Sequence, residues 1–194
     1  MQPIGPLMIE HRLIERMIDV LVKESERLDS GGDVDAVFID TVVDFIRTYA
    51  DKTHHGKEED ILFRELEGKS LKPDHEKTMK ELVQEHVEAR EMTAALVRAK
   101  DAFLEGDRSA LQGIKEKMAA LVQFYPAHIE KEDKHFFKPV MKYFTKKEQD
   151  AMLEEGRTFD RRMIHRKYLS ITEQGEIRVG KDPSRESSDW IEYM

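Results

Sequence analysis

Residues 54–63 read His54-His55-Gly56-Lys57-Glu58-Glu59-Asp60-Ile61-Leu62-Phe63, and residues 128–137 read His128-Ile129-Glu130-Lys131-Glu132-Asp133-Lys134-His135-Phe136-Phe137. His, Lys, Glu and Phe recur at the same offsets in both. An earlier pair matches too: Glu10-His11 with Met17, and Glu85-His86 with Met92, each Met six residues after its His. His11 precedes His54 by 43 positions and His86 precedes His128 by 42. Two motifs in one order at nearly one spacing predict two hairpins related by a pseudo-twofold axis. Each hairpin supplies one His and then one His-x-x-x-Glu.

The apolar residues around these motifs repeat every three or four positions, the period of an amphipathic helix. The first helix reads from about Pro6 to Leu28, with Leu7, His11, Ile14, Ile18, Leu21 and Leu28 on one face. The second begins near Asp33 or Val34 and carries Phe38, Val42, Phe45 and Tyr49, with Gly68 as its stop. That stripe bypasses His54, so a bulge or kink around His54-His55-Gly56 is expected. The third follows Lys72-Pro73-Asp74 with Met79, Leu82, Val83, His86, Arg90, Thr93, Leu96, Val97 and Phe103. The fourth places Leu111, Ile114, Met118, Leu121, Tyr125, His128, Glu132 and His135 inward, with Pro126 a point where it can bend.

The chain is thus expected to be all-α, an antiparallel up-down-up-down four-helix bundle over residues 1–144. The capping-box pattern Thr145-Lys146-Lys147-Glu148 predicts an extra C-terminal helix over 145–170, and 171–194 reads as an irregular tail.

In such a bundle, depth follows from the distance to each turn at ~1.5 Å per residue. His11 and His54 each lie about 30 Å from the first turn. Counting around the other turns puts His86 and His128 level with them. Residues four apart share a helix face, so Glu58 joins His54 and Glu132 joins His128. One His-x-x-x-Glu is commonly a solvated pair, but four imidazoles and two carboxylates at one depth describe a metal site. Two carboxylates that bridge, with two imidazoles for each ion, suit a dinuclear site with open positions.

Composition narrows the partners. There is no cysteine, so thiolate ligands, Fe–S clusters and disulfides are excluded. A formal charge of −8 argues against nucleic acid or an anionic membrane surface. Neither a membrane span nor a signal peptide is visible, and a cytoplasmic place is expected.

These motifs, over roughly residues 4–140, resemble the hemerythrin-like or HHE cation-binding family. The resemblance implies that His11, His54, Glu58, His86, His128 and Glu132 hold two Fe ions as an oxo- or hydroxo-bridged non-haem centre, both glutamates bridging. His55 falls where some members carry an additional ligand, although on a regular helix it is turned about 100° from His54. Oxygen-carrying members have His-x-x-x-His on the third helix, where this chain has Arg90, which puts reversible oxygen carriage in doubt. They also use His-x-x-x-x-Asp on the fourth, an offset held here by Asp133. Glu132 is preferred because it continues the core face, whereas Asp133 points aside.

Arg90, read as a core residue, needs a counter-charge from Glu10, Glu15 or Glu85. His135 reads as structural or as support for the ligands, His75 and His165 as surface residues, and Tyr125 as core or a hydrogen-bond donor. The family implies a protein that binds, senses or stores iron and O2, NO or peroxide. The alternatives are an oxidative or nitrosative defence enzyme at the same site, and an interaction module stapled by structural zinc.

Overall fold

The structure, a computed structural model, describes residues 1–178, and of residues 165, 168 and 170–178 only the backbone. It is all-helical, with no strand among the described residues. Among the described residues five helices follow one another. Helix α1 is Ile4–Asp29. Helix α2 spans 36–67, α3 is Pro73–Leu104, α4 spans 110–143 and α5 is Lys146–Arg178. No helix among the described residues is long and apolar enough to cross a membrane.

Local chemistry sets the boundaries. Gly31 (φ 88°) and Gly106 (φ 107°) take the left-handed conformation that ends α1 and α3 and that a Cβ would strain. Asp35 caps α2 by accepting from the Phe38 N–H at 2.9 Å. Pro73 opens α3, where its missing N–H costs nothing. At α5 the Thr145 N–H donates to Glu148 and the Glu148 N–H donates back to the Thr145 hydroxyl, a closed capping box.

Helix α5 runs to Arg178, beyond residue 170 where the sequence reading begins its irregular tail. Residues 171–178 contain Glu, Gln, Ile and Arg with one interrupting glycine, and no proline stops the helix before Pro183. The remainder of the expected tail, 179–194, lies outside the described residues.

Helix α1 contacts α2 and α4, and α3 contacts the same two, so four helices close a ring, with α5 laid against α2. Inside the ring the core is split. One apolar cluster includes Ile14, Leu21, Ile39, Leu96, Met118 and Leu121. Another includes Leu7, Ile61, Leu66, Leu82, Phe136 and Val140. Between them lies a layer of buried polar side chains.

Two helices reach that layer by changing their winding. In α2 the backbone is π-wound over Ile46–His55 and again over Glu58–Phe63; in α4 it is π-wound over Lys131–Phe136. The wider turn admits an extra residue, which turns the inward face. Thus the buried stripe of α2 is Ile39, Val42, Val43, Ile46, Ala50 and then both His54 and His55. Of the stripe expected from sequence Val42 is buried, whereas Phe38, Phe45 and Tyr49 pack only partly buried beside it.

Candidate metal centre

Seven side chains form the polar layer: His11 from α1; His54, His55 and Glu58 from α2; His86 from α3; His128 and Glu132 from α4. None is more than 3% exposed. They fall into two groups. His11, His54, Glu58 and Glu132 each offer a donor atom within 4.8 Å of the others, and His55, His86 and His128 do the same.

The two carboxylates lie between the groups. Glu58 Oε1 is 3.3 Å from His54 Nε2 and its Oε2 is 3.3 Å from His86 Nε2. Glu132 Oε2 is 3.1 Å from His11 Nε2 and its Oε1 is 3.4 Å from His128 Nε2. Each glutamate therefore faces one imidazole of each group. The π turn brings His55 round as well: its ring stacks on that of His86 at 3.9 Å.

Behind each imidazole stands another carboxylate. Nδ1 of His11 lies 2.8 Å from Asp133, that of His54 2.9 Å from Glu10, that of His86 2.7 Å from Glu59 and that of His128 2.8 Å from Glu85. Asp51 lies 3.5 Å from Nδ1 of His55. A carboxylate at Nδ1 fixes that nitrogen as the N–H donor and leaves the Nε2 lone pair for the interior.

The hairpin repeat extends into this outer ring. Glu10 takes His54 and Lys57, as Glu85 takes His128 and Lys131. Asp133 takes His11 and Arg12, as Glu59 takes His86 and Arg90. Apart from Asp133, which was weighed as a ligand, the sequence reading gave none of these carboxylates this role. The signal was there, in the Glu before His11 and before His86 and in the acid after each inner glutamate.

Three expectations are corrected. Arg90 is not in the core: the buried face of α3 runs His86, Ala89, Thr93, Leu96, which leaves position 90 beside it. Its partners are Asp51 at 2.7 Å and Glu59 at 2.8 Å, not Glu10, Glu15 or Glu85. His135 is exposed, because the π turn carries the inward face of α4 from Glu132 to Phe136. His75 is partly buried and bonded to the Tyr143 hydroxyl at 2.8 Å. The side chain of His165 lies outside the described residues. Tyr125 belongs to the apolar core, its hydroxyl buried without a partner.

Burial alone would strip these groups of charge, but their proximity outweighs it. For His54 burial opposes the proton, yet Glu58 and the hydrogen bond to Glu10 raise it to about 10. For His86 burial is again overcome, by Glu132, Glu58 and Glu59, and it rises to about 11. Glu58 is held well below its ordinary value by His54 and His86 against its own burial. His55 differs: burial dominates, Asp51 compensates only in part, and it falls to about 4.

The layer has the donor chemistry of a metal site. Both oxygens of Glu58 and of Glu132, Nε2 of His86 and of His128, and both nitrogens of His55 are buried without a hydrogen-bond partner. So many orphaned acceptors in one layer would be costly without a cation or shared protons among them. His11 Nε2 and His54 Nε2 lie 2.8 Å apart with both Nδ1 atoms committed to carboxylates. Adjacent donors on one ion, at roughly 2.0–2.1 Å from it, come about this close. Imidazole with carboxylate suits iron, zinc and other first-row metals.

The family model described as the hemerythrin HHE cation-binding domain matches residues 2–140, and a second match covers 79–169. No curated protein and no solved structure matches the chain.

Proposed function

The chain belongs to the hemerythrin HHE cation-binding family, and on that premise we propose that it holds a non-haem di-iron centre that binds, senses or stores iron and small ligands of the O2, NO or peroxide kind. The observation that carries this is the pair of buried carboxylates, Glu58 and Glu132, each facing one imidazole of either group with no other partner. His55, His86 and His128 would hold one ion, His11 and His54 the other, with both glutamates between them. The ring of helix contacts is read as the up-down-up-down antiparallel bundle, with α5 as an addition.

When bound, such a pair supplies Lewis-acid and one-electron chemistry toward small oxidants. The residues of the chain do the rest. The outer carboxylates keep each Nδ1 protonated and each ring turned inward. The two apolar clusters keep water from the layer. His55 brings a third imidazole to the second group, which position 90 of α3 lacks. The first group has only two, so open positions concentrate there.

An anomalous-scattering map at the iron edge tests the reading: one peak in each group is expected. A single zinc in this layer, or no metal after growth in iron-rich medium, would sink it. Steady peroxide or NO turnover, lost in Glu58→Ala and Glu132→Ala, would make the protein an enzyme. Reversible binding without turnover would make it a carrier or sensor.

A further inference from the structure

A cavity of about 90 Å³ lies where α5 crosses the N-terminal end of α1 and the second half of α2. Its apolar walls are Pro6 and Leu7 of α1, Ile61 and Leu62 of α2, and Met152 and Leu153 of α5, with Pro3 and the exposed Met1 at its rim. Three charged residues also line it, and each is already engaged. Lys57, 5% exposed, donates to both Glu10 and Asp160, and Arg157 donates to Glu154 at 3.1 Å. A water inside would need two or more free polar partners, and the walls supply few. Apolar walls of this kind suit apolar guests such as xenon better than water.

Its position is one-sided. Leu7 stands one helical turn, about 5.4 Å, before His11, and Ile61 and Leu62 follow Glu58 by three and four residues in the π-wound part of α2. Lys57 binds Glu10, which holds His54. The imidazoles reached in this way, His11 and His54, are those of the two-imidazole group, and Glu58 lies between the two groups.

We infer that this cavity is a holding site for an apolar diatomic gas, O2 or NO, beside the half of the centre with open positions, and that α5 is its roof. The inference rests on the di-iron reading for its purpose, and it gives α5 a task beyond covering α2. Gly156 of α5 lines the same space, and a Cβ built on it would meet only Lys57 Cδ, at 3.9 Å. A larger side chain there can enter the cavity without striking backbone, in a helix that favours it over glycine.

Crystals of the iron-loaded protein pressurised with xenon should show an anomalous peak among Leu7, Ile61, Leu62 and Met152. An ordered water bonded to Lys57 or Arg157 in that place, with no xenon, would overturn the assignment. In solution, Gly156→Leu should slow NO association with the reduced protein about tenfold, within the span over which on-rates vary among variants of one site. Its iron content and visible spectrum should be unchanged, and Gly156→Ala should behave as the parent. Equal rates in Gly156→Leu and parent would remove the cavity from the route. A protein with xenon bound but no iron would fail the di-iron reading alone, whereas two irons with an empty cavity would fail only this inference.

Discussion

At neutral pH a metal entering the second group meets His55 as a neutral imidazole, since burial has pushed its value down to about 4, while His86 beside it carries a proton. On the di-iron reading His55 would therefore bind without first releasing a proton. His55→Ala is expected to lower iron from two ions per chain to one, by elemental analysis against protein concentration, with helical circular dichroism unchanged. Retention of both ions would place His55 outside the ligand set. The outer carboxylates act more gently. Glu10→Gln and Glu85→Gln keep the size of the side chain but weaken its hold on Nδ1 of His54 and His128. Losses of supporting carboxylates typically cost 10–100-fold in metal affinity, and about that is expected here from chelator competition. The repeat makes the two substitutions equivalent in kind, so a large effect in one and none in the other would contradict the paired geometry.

At the scale of the helix, sequence showed which segments are helical but not how each is wound. The three-and-four period located α1, α3 and α4 well, and the repeat named His11, His54, Glu58, His86, His128 and Glu132, whereas His55 lies outside the repeat and came only with the family resemblance. Where winding changes, the pattern misleads. The stripe Phe38, Val42, Phe45, Tyr49 extrapolates past His54, and the 132-to-135 step puts His135 inside; π turns shift both faces. The mismatch at His54 did show that something must turn α2, but not that His55 would become buried as well. Charge partners such as Arg90 with Asp51 and Glu59 depend on that rotation and could not be assigned before it. The start of α5 was legible because a cap is local chemistry. Thr145→Ala, which removes the hydroxyl that accepts from the Glu148 N–H and leaves the Thr145 N–H bond to Glu148, should cost about 1 kcal/mol of helix stability. It should appear as faster amide hydrogen exchange in the first turns of α5 while α1 to α4 keep their protection. Uniform acceleration across the chain would mean that α5 is not a separable unit.

For the molecule as a whole, the polar layer makes stability depend on what occupies it. Without metal the layer is held by shared protons, and the sign of its pH dependence follows from the shifts. The proton on His54 is held to about 10 and that on His86 to about 11, against 6.5 in the unfolded chain. Their contribution is full below pH 6.5 and is lost as pH rises through 10 to 11. Glu58, held well below 4.5, contributes above that value and fades as pH falls beneath it; Glu132, at about 2, does the same. His55, neutral when folded, contributes above 6.5 and fades toward pH 4. These opposing windows leave the metal-free protein most stable in mildly acidic to neutral solution, with a decline toward alkaline pH set by His54 and His86. On the proposed reading iron would displace those same protons, and its binding would strengthen as pH rises. The urea midpoint of the metal-free protein should therefore fall between pH 6.5 and 9, while that of the iron-loaded protein should hold or rise over the same interval. Parallel curves for the two forms would show that metal and protons do not compete for His54 and His86, and would remove those imidazoles from the ligand set.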